Sequence, residues 1–424
     1  MIDLILRGAN VDGLENHVDI GIDGGRIIGI ADRINQPSRL EIPLDGRLVV
    51  PAFVNSHIHL DKAFVGGLTE SGIATEGVAA GRRLKTQYTR QDIQARARRV
   101  INLAIRHGTG AIRTCADVDP IVGTLCVEAL AELRDEYAGR VTMQIVAFPQ
   151  EGLLGVDGMS DMLRRAMKLG ADVLGGRPHG DPDPQGHVDL IFGLAQELGC
   201  PVDMSVDAIF PPEPIDPMLL GISRVARKTI ELGYQGRVTV HHVLALSAVP
   251  PELASEVVAL AKEARLNIIT NPSSNLFTEG RADPVKPRRG LTRVKDLLVA
   301  GINVSIGTDN VDDTYLPFVN VDMVQEAFVA SLAAHLGTRA ERRLLLQMCT
   351  TNGARALGID ADYGVALGKR ADLVVLDTSS VDDIVTQQPE KLYVIKEGRV
   401  IAANRHITEF WAGASYGPGL ERSR

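Results

Sequence analysis

The sequence predicts an α/β fold: a (β/α)8 TIM-like barrel with a small β-sandwich built from both chain termini. Three observations predict it. Eight short β-branched runs alternate with segments of helical periodicity between residues 51 and 360. The stretches before and after this region are β-rich but too short to bury their own faces. The first β run of the middle region ends in His57-Ile58-His59, which puts two imidazoles on one face at a strand terminus.

The elements follow in order. Leu4-Ile5-Leu6, Val18 to Ile22 and Arg26 to Ile30 are apolar runs, with Asp23-Gly24-Gly25 as a hairpin signal. Near the other end, Ala371 to Asp377, Tyr393-Val394-Ile395 and Val400-Ile401 repeat the pattern. Residues 1–50 and 361–411 are therefore expected to form one sandwich domain around a 51–360 barrel, with 412–424 as a frayed tail. The barrel strands are expected at 52–57, 110–114, 140–147, 171–175, 201–206, 237–241, 266–270 and 302–306. Helices are expected at 92–107, 121–136, 158–169, 186–198, 217–233, 251–265 and 291–300, with 320–337 and 339–356 extending the barrel. Parallel strands need such crossovers. A doubly wound open sheet is the rival, weakened because neither a GxxxxGK[ST] loop nor a strand-to-helix GxGxxG turn occurs. The stretch 64–90 is long for a barrel connection and suits a lid.

Composition narrows the function. The 424 residues are 45% hydrophobic, enough for a large core, and carry a net charge of -8. That mild acidity argues against nucleic acid as a partner. No apolar run is long enough to span a membrane, and the early-charged N-terminus does not read as a signal peptide. Four cysteines without tight spacing argue against a disulfide framework, so a reducing, cytoplasmic setting is expected. No H-x-E with P-C-x-x-C occurs, which excludes the nucleic-acid deaminase fold.

In a (β/α)8 barrel the chemistry sits at the C-terminal strand ends. His57 and His59 there are candidate ligands for a divalent ion. Asp309, after the eighth strand, is a candidate ligand and a base toward metal-activated water. His241 and His242 end the sixth strand, and strict alternation would let only one enter the mouth. Gln150 follows the third strand, where it could hydrogen-bond a polar substrate, and His179 follows the fourth. His17, His107, His335 and His406 read as structural, and Lys286 to Arg289 as a solvated loop.

These residues together resemble the amidohydrolase superfamily, and within it the cytosine deaminase branch. The likeness runs along nearly the whole chain, through Pro51 to Phe64, Gln144 to Gly152, Lys286 to Lys295 and Gly368 to Leu373. It implies a hydrolase of non-peptide C–N bonds using one divalent ion, zinc or iron, on a small N-heterocyclic or amide substrate, and a homo-oligomer. It implies His57, His59 and Asp309 as metal ligands, His242 beside the attacking water, and Gln150 on the ring edge, with Ser205 and Asn310 as further substrate contacts. The branch also has a fifth-strand histidine on the metal and, three residues later, a proton-shuttling glutamate. Here Ser205 and Ala208 stand at those places, Cys115 replaces a second-strand histidine, and Thr308 and Asn310 flank Asp309.

Three protein ligands still suffice for a catalytic zinc, with His242 or a Cys115 thiolate as a possible fourth. Loss of the glutamate is more serious, since general acid–base groups contribute about 100- to 10,000-fold. Asp207 alternates with Ala208 and is expected to point away. Two expectations result: a hydrolase of a cyclic amide or N-heterocycle other than cytosine, or a binding protein that keeps the pocket, holds its ion weakly or not at all, and has lost turnover.

Overall fold

Glycine and aspartate turns cut the first fifty residues into short strands: β1 (Ile2–Val11), β2 (Val18–Asp23), β3 (Arg26–Ala31), β4 (Ser38–Pro43) and β5 (Leu48–Pro51). The computed structural model describes residues 1–68, 74–210, 215–281, 283–286 and 288–408. The expected tail therefore lies outside the described residues. The barrel strands are β6 (Phe53–Ile58), β7 (Thr109–Asp117), β8 (Thr142–Phe148), β9 (Val173–Gly176), β10 (Val202–Val206), β11 (Val238–His242), β12 (Asn267–Thr270) and β13 (Asn303–Ile306). Three C-terminal strands, β14 (Leu373–Leu376), β15 (Lys391–Lys396) and β16 (Arg399–Ala403), join β1 to β5 in one mixed sheet.

Strands β6 to β13 pair in parallel and in sequence order, as the alternation of β runs and helices predicts. Helices α1 (Ala74–Lys85), α2 (Arg90–Arg106), α3 (Leu125–Glu136), α4 (Met159–Lys168), α5 (Pro184–Leu198), α6 (Gly221–Glu231) and α7 (Pro251–Glu263) follow the first six strands. Then come α8 (Pro272–Thr278), α9 (Val294–Val299), α10 (Met323–Ala334), α11 (Arg339–Met348), α12 (Thr351–Leu357) and α13 (Ile384–Gln387). Local chemistry sets their ends. For α5, the Asp183 carboxylate accepts from the Gln185 and Gly186 amides, Pro184 opens the helix, and Gly199 at φ +67° closes it.

The differences from expectation have local causes. The predicted 339–356 helix breaks into α11 and α12 at Thr350, whose φ/ψ of −132°/−99° is not helical. Helix α8 lies where no helix is expected, because its seven residues are too few for a readable period. The 64–90 stretch is partly the helix α1 rather than open loop.

A buried guanidinium organises the barrel floor. Arg113 on β7 donates to Asp203 (2.9 Å), Thr239 (3.0 Å), Gln144 (2.7 Å) and the Ala356 carbonyl (2.6 Å). Beneath it, the buried Lys396 ammonium of β15 donates to Gly110 O, Thr142 Oγ1 and Asp372 Oδ2, which ties the terminal sheet to the strand starts. Removing one partner of a buried pair strands the other charge. Arg113→Leu is expected to lower the unfolding free energy by about 3–5 kcal/mol. Urea unfolding followed by circular dichroism measures this, and a shift below about 1 kcal/mol would show that Asp203 needs no partner.

Candidate active site

The barrel closes at the site itself. Asp309 N–H donates to the His57 carbonyl (2.9 Å), and the Asp309 carbonyl accepts from His59 N–H (3.1 Å). That clasp needs Gly307, where a Cβ would sit 2.7 Å from the His57 carbonyl oxygen and 2.6 Å from Asn271 Oδ1. It also holds Asp309 at φ +62°, a left-handed conformation unusual outside glycine. In consequence Asp309 Oδ1 stands 3.1 Å from His57 Nε2 and 3.3 Å from His59 Nε2. Its Oδ2 accepts from the Ser274 hydroxyl at 2.7 Å. Burial works to raise the Asp309 pKa, but hydrogen bonds with the two imidazoles outweigh it and hold the carboxyl well below its usual range. Burial and the nearby Lys62 charge lower His59 to about 4, so its ring is neutral at pH 7.

The structure corrects the expectation that one of His241 and His242 leaves the mouth. Both line it, in a cavity of about 210 Å³. His241 follows strand alternation, whereas His242 at φ +72° and Val243 at φ +53° leave the strand in a left-handed turn that swings the second ring inward. The His241 ring lies 4.0 Å from that of His57. His242 Nδ1 accepts from the Asn275 amide at 2.9 Å, so its proton is on Nε2. Burial lowers His242 to about 4. Cys115 Sγ lies 3.7 Å from His57 Nδ1, the nitrogen turned away from Asp309, and burial pushes its thiol up. It therefore suits the support of His57 better than an ion shared with Asp309.

Gln150, Asn310, Ser205 and His179 also line the cavity. Asp207 turns away, as expected, and accepts from the Gly221 and Ile222 amides at the start of α6. Sequence reasoning missed four groups. Lys62 donates to Gln150 Oε1 (3.2 Å) and Asp117 (2.9 Å), and Arg177 donates to the Gln150 carbonyl (3.3 Å). Behind Lys62, the Lys85 ammonium meets Asp117, Asp119 and Glu151 at 2.6–2.8 Å. Glu279, just past α8, lines the cavity, and burial pushes its carboxyl up to about 7. Lys62 was readable, because it continues the His57–His59 segment; Lys85 ends α1, and Arg177 and Glu279 sit on connections whose paths no periodicity reveals.

The sequence matches the profile of the Amidohydrolase family over residues 41–402. This chain belongs to that family. N-isopropylammelide isopropyl amidohydrolase of Pseudomonas sp. (strain ADP) is 34% identical over 421 residues, covering 96% of this chain and 98% of that protein. The crystal structure of 5-methylcytosine deaminase from Klebsiella pneumoniae with 5-fluorocytosine superposes with a TM-score of 0.89 at 29% identity, covering 96% and 99% of the two chains. N-isopropylammelide isopropylaminohydrolase from Burkholderia multivorans gives 0.83 at 27%, covering 95% and 99%.

Members of this family generally use a divalent ion, and the residues of this amidohydrolase fit one. Ligands at about 2.0–2.2 Å from an ion lie roughly 3 Å apart, which matches the 3.1 and 3.3 Å separations around Asp309 Oδ1. Three other groups of ligand-type side chains converge nearby, His57 with His241 and His242, His57 with His59 and Cys115, and His59 with Asp61 and Asp117, and the last fits less well. There Asp117 is committed to the two lysines, and Asp61 accepts from the Asp117 amide at 2.9 Å.

The start of α8 beside Asp309 rests on a buried acid. Glu326 on α10 accepts from the Ser273 amide at 3.1 Å and pairs with Asn320. Burial pushes it up to about 8 from 4.5, so the folded chain keeps a proton that the unfolded chain releases. Its contribution to stability is complete below pH 4.5 and is lost as pH rises through 8. The stability of Glu326→Gln relative to the parent protein should therefore increase from pH 5 to pH 8, read from urea midpoints. Parallel pH curves for the two proteins would overturn this.

Proposed function

We propose that this amidohydrolase removes an alkylated amine from an oxo-substituted N-heterocycle by hydrolysis of the exocyclic C–N bond. The observation that carries the proposal is the convergence of His57, His59 and Asp309 at the base of a cavity walled by Gln150, Lys62 and Arg177. An apolar cavity of about 150 Å³ holds a benzene ring, so about 210 Å³ suits one heterocycle with its substituents. Two cations beside an amide favour ring oxygens and anionic tautomers over the amino edge of cytosine. Ala208 and Ile209 supply apolar surface for an alkyl group on the leaving nitrogen. The 34% relative, named for N-isopropylammelide, supports the same class.

A divalent ion among His57, His59 and Asp309 would supply Lewis acidity that makes water nucleophilic near neutral pH. Asp309 accepts the proton of the attacking water. His242, neutral with its Nδ1 held by Asn275, orients the attacking oxygen. Glu279, titrating at about 7, protonates the departing amine in place of the carboxyl that Ala208 lacks. Asp309 passes the proton it took to the ring nitrogen, and the hydroxyl proton released as the carbonyl forms restores Glu279. Gln150, held by Lys62, reads the ring edge, with Asn310 and Ser205 on neighbouring walls.

A panel of N-isopropylammelide, pterin and cytosine tests the substrate class, with the first expected to turn over fastest. Binding of the ring without turnover of any would favour the alternative, a barrel kept only for its pocket. Asp309→Asn should lower kcat by about 100- to 10,000-fold. Glu279 acts in its protonated form, so kcat should fall as pH rises through about 7. Glu279→Gln should be slow and lack that limb; an unchanged profile would remove Glu279 from the mechanism.

A further inference from the structure

His241 is buried at the cavity base, and neither of its ring nitrogens has a hydrogen-bond partner among the described residues. A buried imidazole always carries at least one lone pair or N–H in need of a partner. The other imidazoles of the cluster are differently placed. His57 and His59 direct Nε2 at Asp309, and His242 has its Nδ1 occupied by Asn275. His57, His241 and His242 nevertheless bring one nitrogen each within 4.8 Å of one another.

Two further observations bear on the vacant nitrogens. Asp203 Oδ1 stands 3.5 Å from His241 Nε2 with no hydrogen bond between them, and Asp203 Oδ2 is held by Arg113. A carboxylate behind one ring nitrogen is the arrangement that orients a histidine whose other nitrogen binds a metal. In addition, Ser205 on β10 and His241 on β11 are register partners, and both line the cavity. Register partners project from the same side of a sheet whose strands lie about 4.8 Å apart, so an imidazole at either position reaches nearly the same point.

From this geometry we infer that His241 is the fourth protein ligand of the divalent ion, supplied by β11 because Ser205 on β10 cannot supply it. The inference rests on the metal-dependent reading above and deepens it. The ligand set becomes His57, His59, His241 and Asp309, with Asp203 orienting His241. His242 stays outside the set and keeps its place beside the attacking water, with Nδ1 held by Asn275.

The test uses full-length protein: the parent, His241→Ser, His242→Asn and the exchange double variant Ser205→His/His241→Ser. Each is reconstituted with zinc and with cobalt, and metal affinity is measured by chelator competition alongside the visible cobalt spectrum. Loss of an oriented ligand exceeds the effect of losing its supporting group, so His241→Ser should weaken binding by more than about 100-fold. The double variant should recover to within about 10-fold of the parent, and His242→Asn should keep both affinity and spectrum. Parent-like affinity and spectrum in His241→Ser would overturn the inference while leaving the hydrolase reading intact. A double variant with parent-like circular dichroism and no recovered ion would overturn the equivalence of the two positions. Failure of the parent to bind either ion would instead sink the metal-dependent reading itself.

Discussion

Two backbone hydrogen bonds carry this structure. Where β13 meets β6, the peptide groups of Asp309 are clasped between His57 and His59, and that clasp both closes the barrel and sets Asp309 Oδ1 3.1 Å and 3.3 Å from the two Nε2 atoms. The fold and the site are therefore one constraint. Strand closure needs the Gly307 approach, the approach puts Asp309 in the left-handed region, and that conformation aims the carboxylate at both imidazoles. Strain of this kind persists only where the surroundings over-determine it. Here Ser274 and the acid Glu326 beneath the neighbouring Ser273 supply that support.

Charge is arranged around the clasp so that His59, His241 and His242 stay neutral. Burial is the largest influence on His59, His241 and His242, and it lowers all three. A fixed ammonium at Lys62 adds to the effect at His59. Lys62 is itself tolerated because Asp117 neutralises it, and Asp117 is shared with Lys85, which reaches on to Asp119 and Glu151. The chain thus places a compensated ionic layer beside neutral nitrogens, the state a metal ligand or hydrogen-bond donor needs. Asp61 shows the limit of the arrangement. Burial and the charge of Asp117 push it up to about 6.

The architecture was legible because period-2 and period-3.6 patterns are properties of local sequence. All eight barrel strands lie within two residues or so of their expected starts, and the His57–His59 pair marks the mouth without help from the fold. Short or irregular pieces were not legible. Strand β4 offers only Leu40 and Ile42 in alternation, too short a run to distinguish it from loop, and α8 is too brief for a period. At the site, strand alternation misled at a single residue, His242, since nothing in Val-Thr-Val-His-His announces that the last histidine adopts positive φ. Glu279 and Arg177 escaped for a different reason. Their relation to the pocket is set by connections between elements, which only the tertiary path defines.

This distinction bears on how the two replacements at β10 are absorbed. A sheet offers a substitute for a lost inward side chain at the register partner on the next strand, because both positions project from the same side with no change of backbone. Ser205 and His241 are such a pair, so a donor can pass from one strand to its neighbour while the barrel stays as it was. The place of Ala208 is different. It follows the strand end, beyond any ladder partner, and a replacement carboxyl must come over the rim on another connection. Glu279 stands on one, just past α8, half-buried and facing the same cavity. A donor carried by a connection is held less rigidly than one on a strand, which suits a group that must follow a departing amine. On the proposed reading, then, the lost ligand is replaced along the sheet and the lost proton donor over its rim.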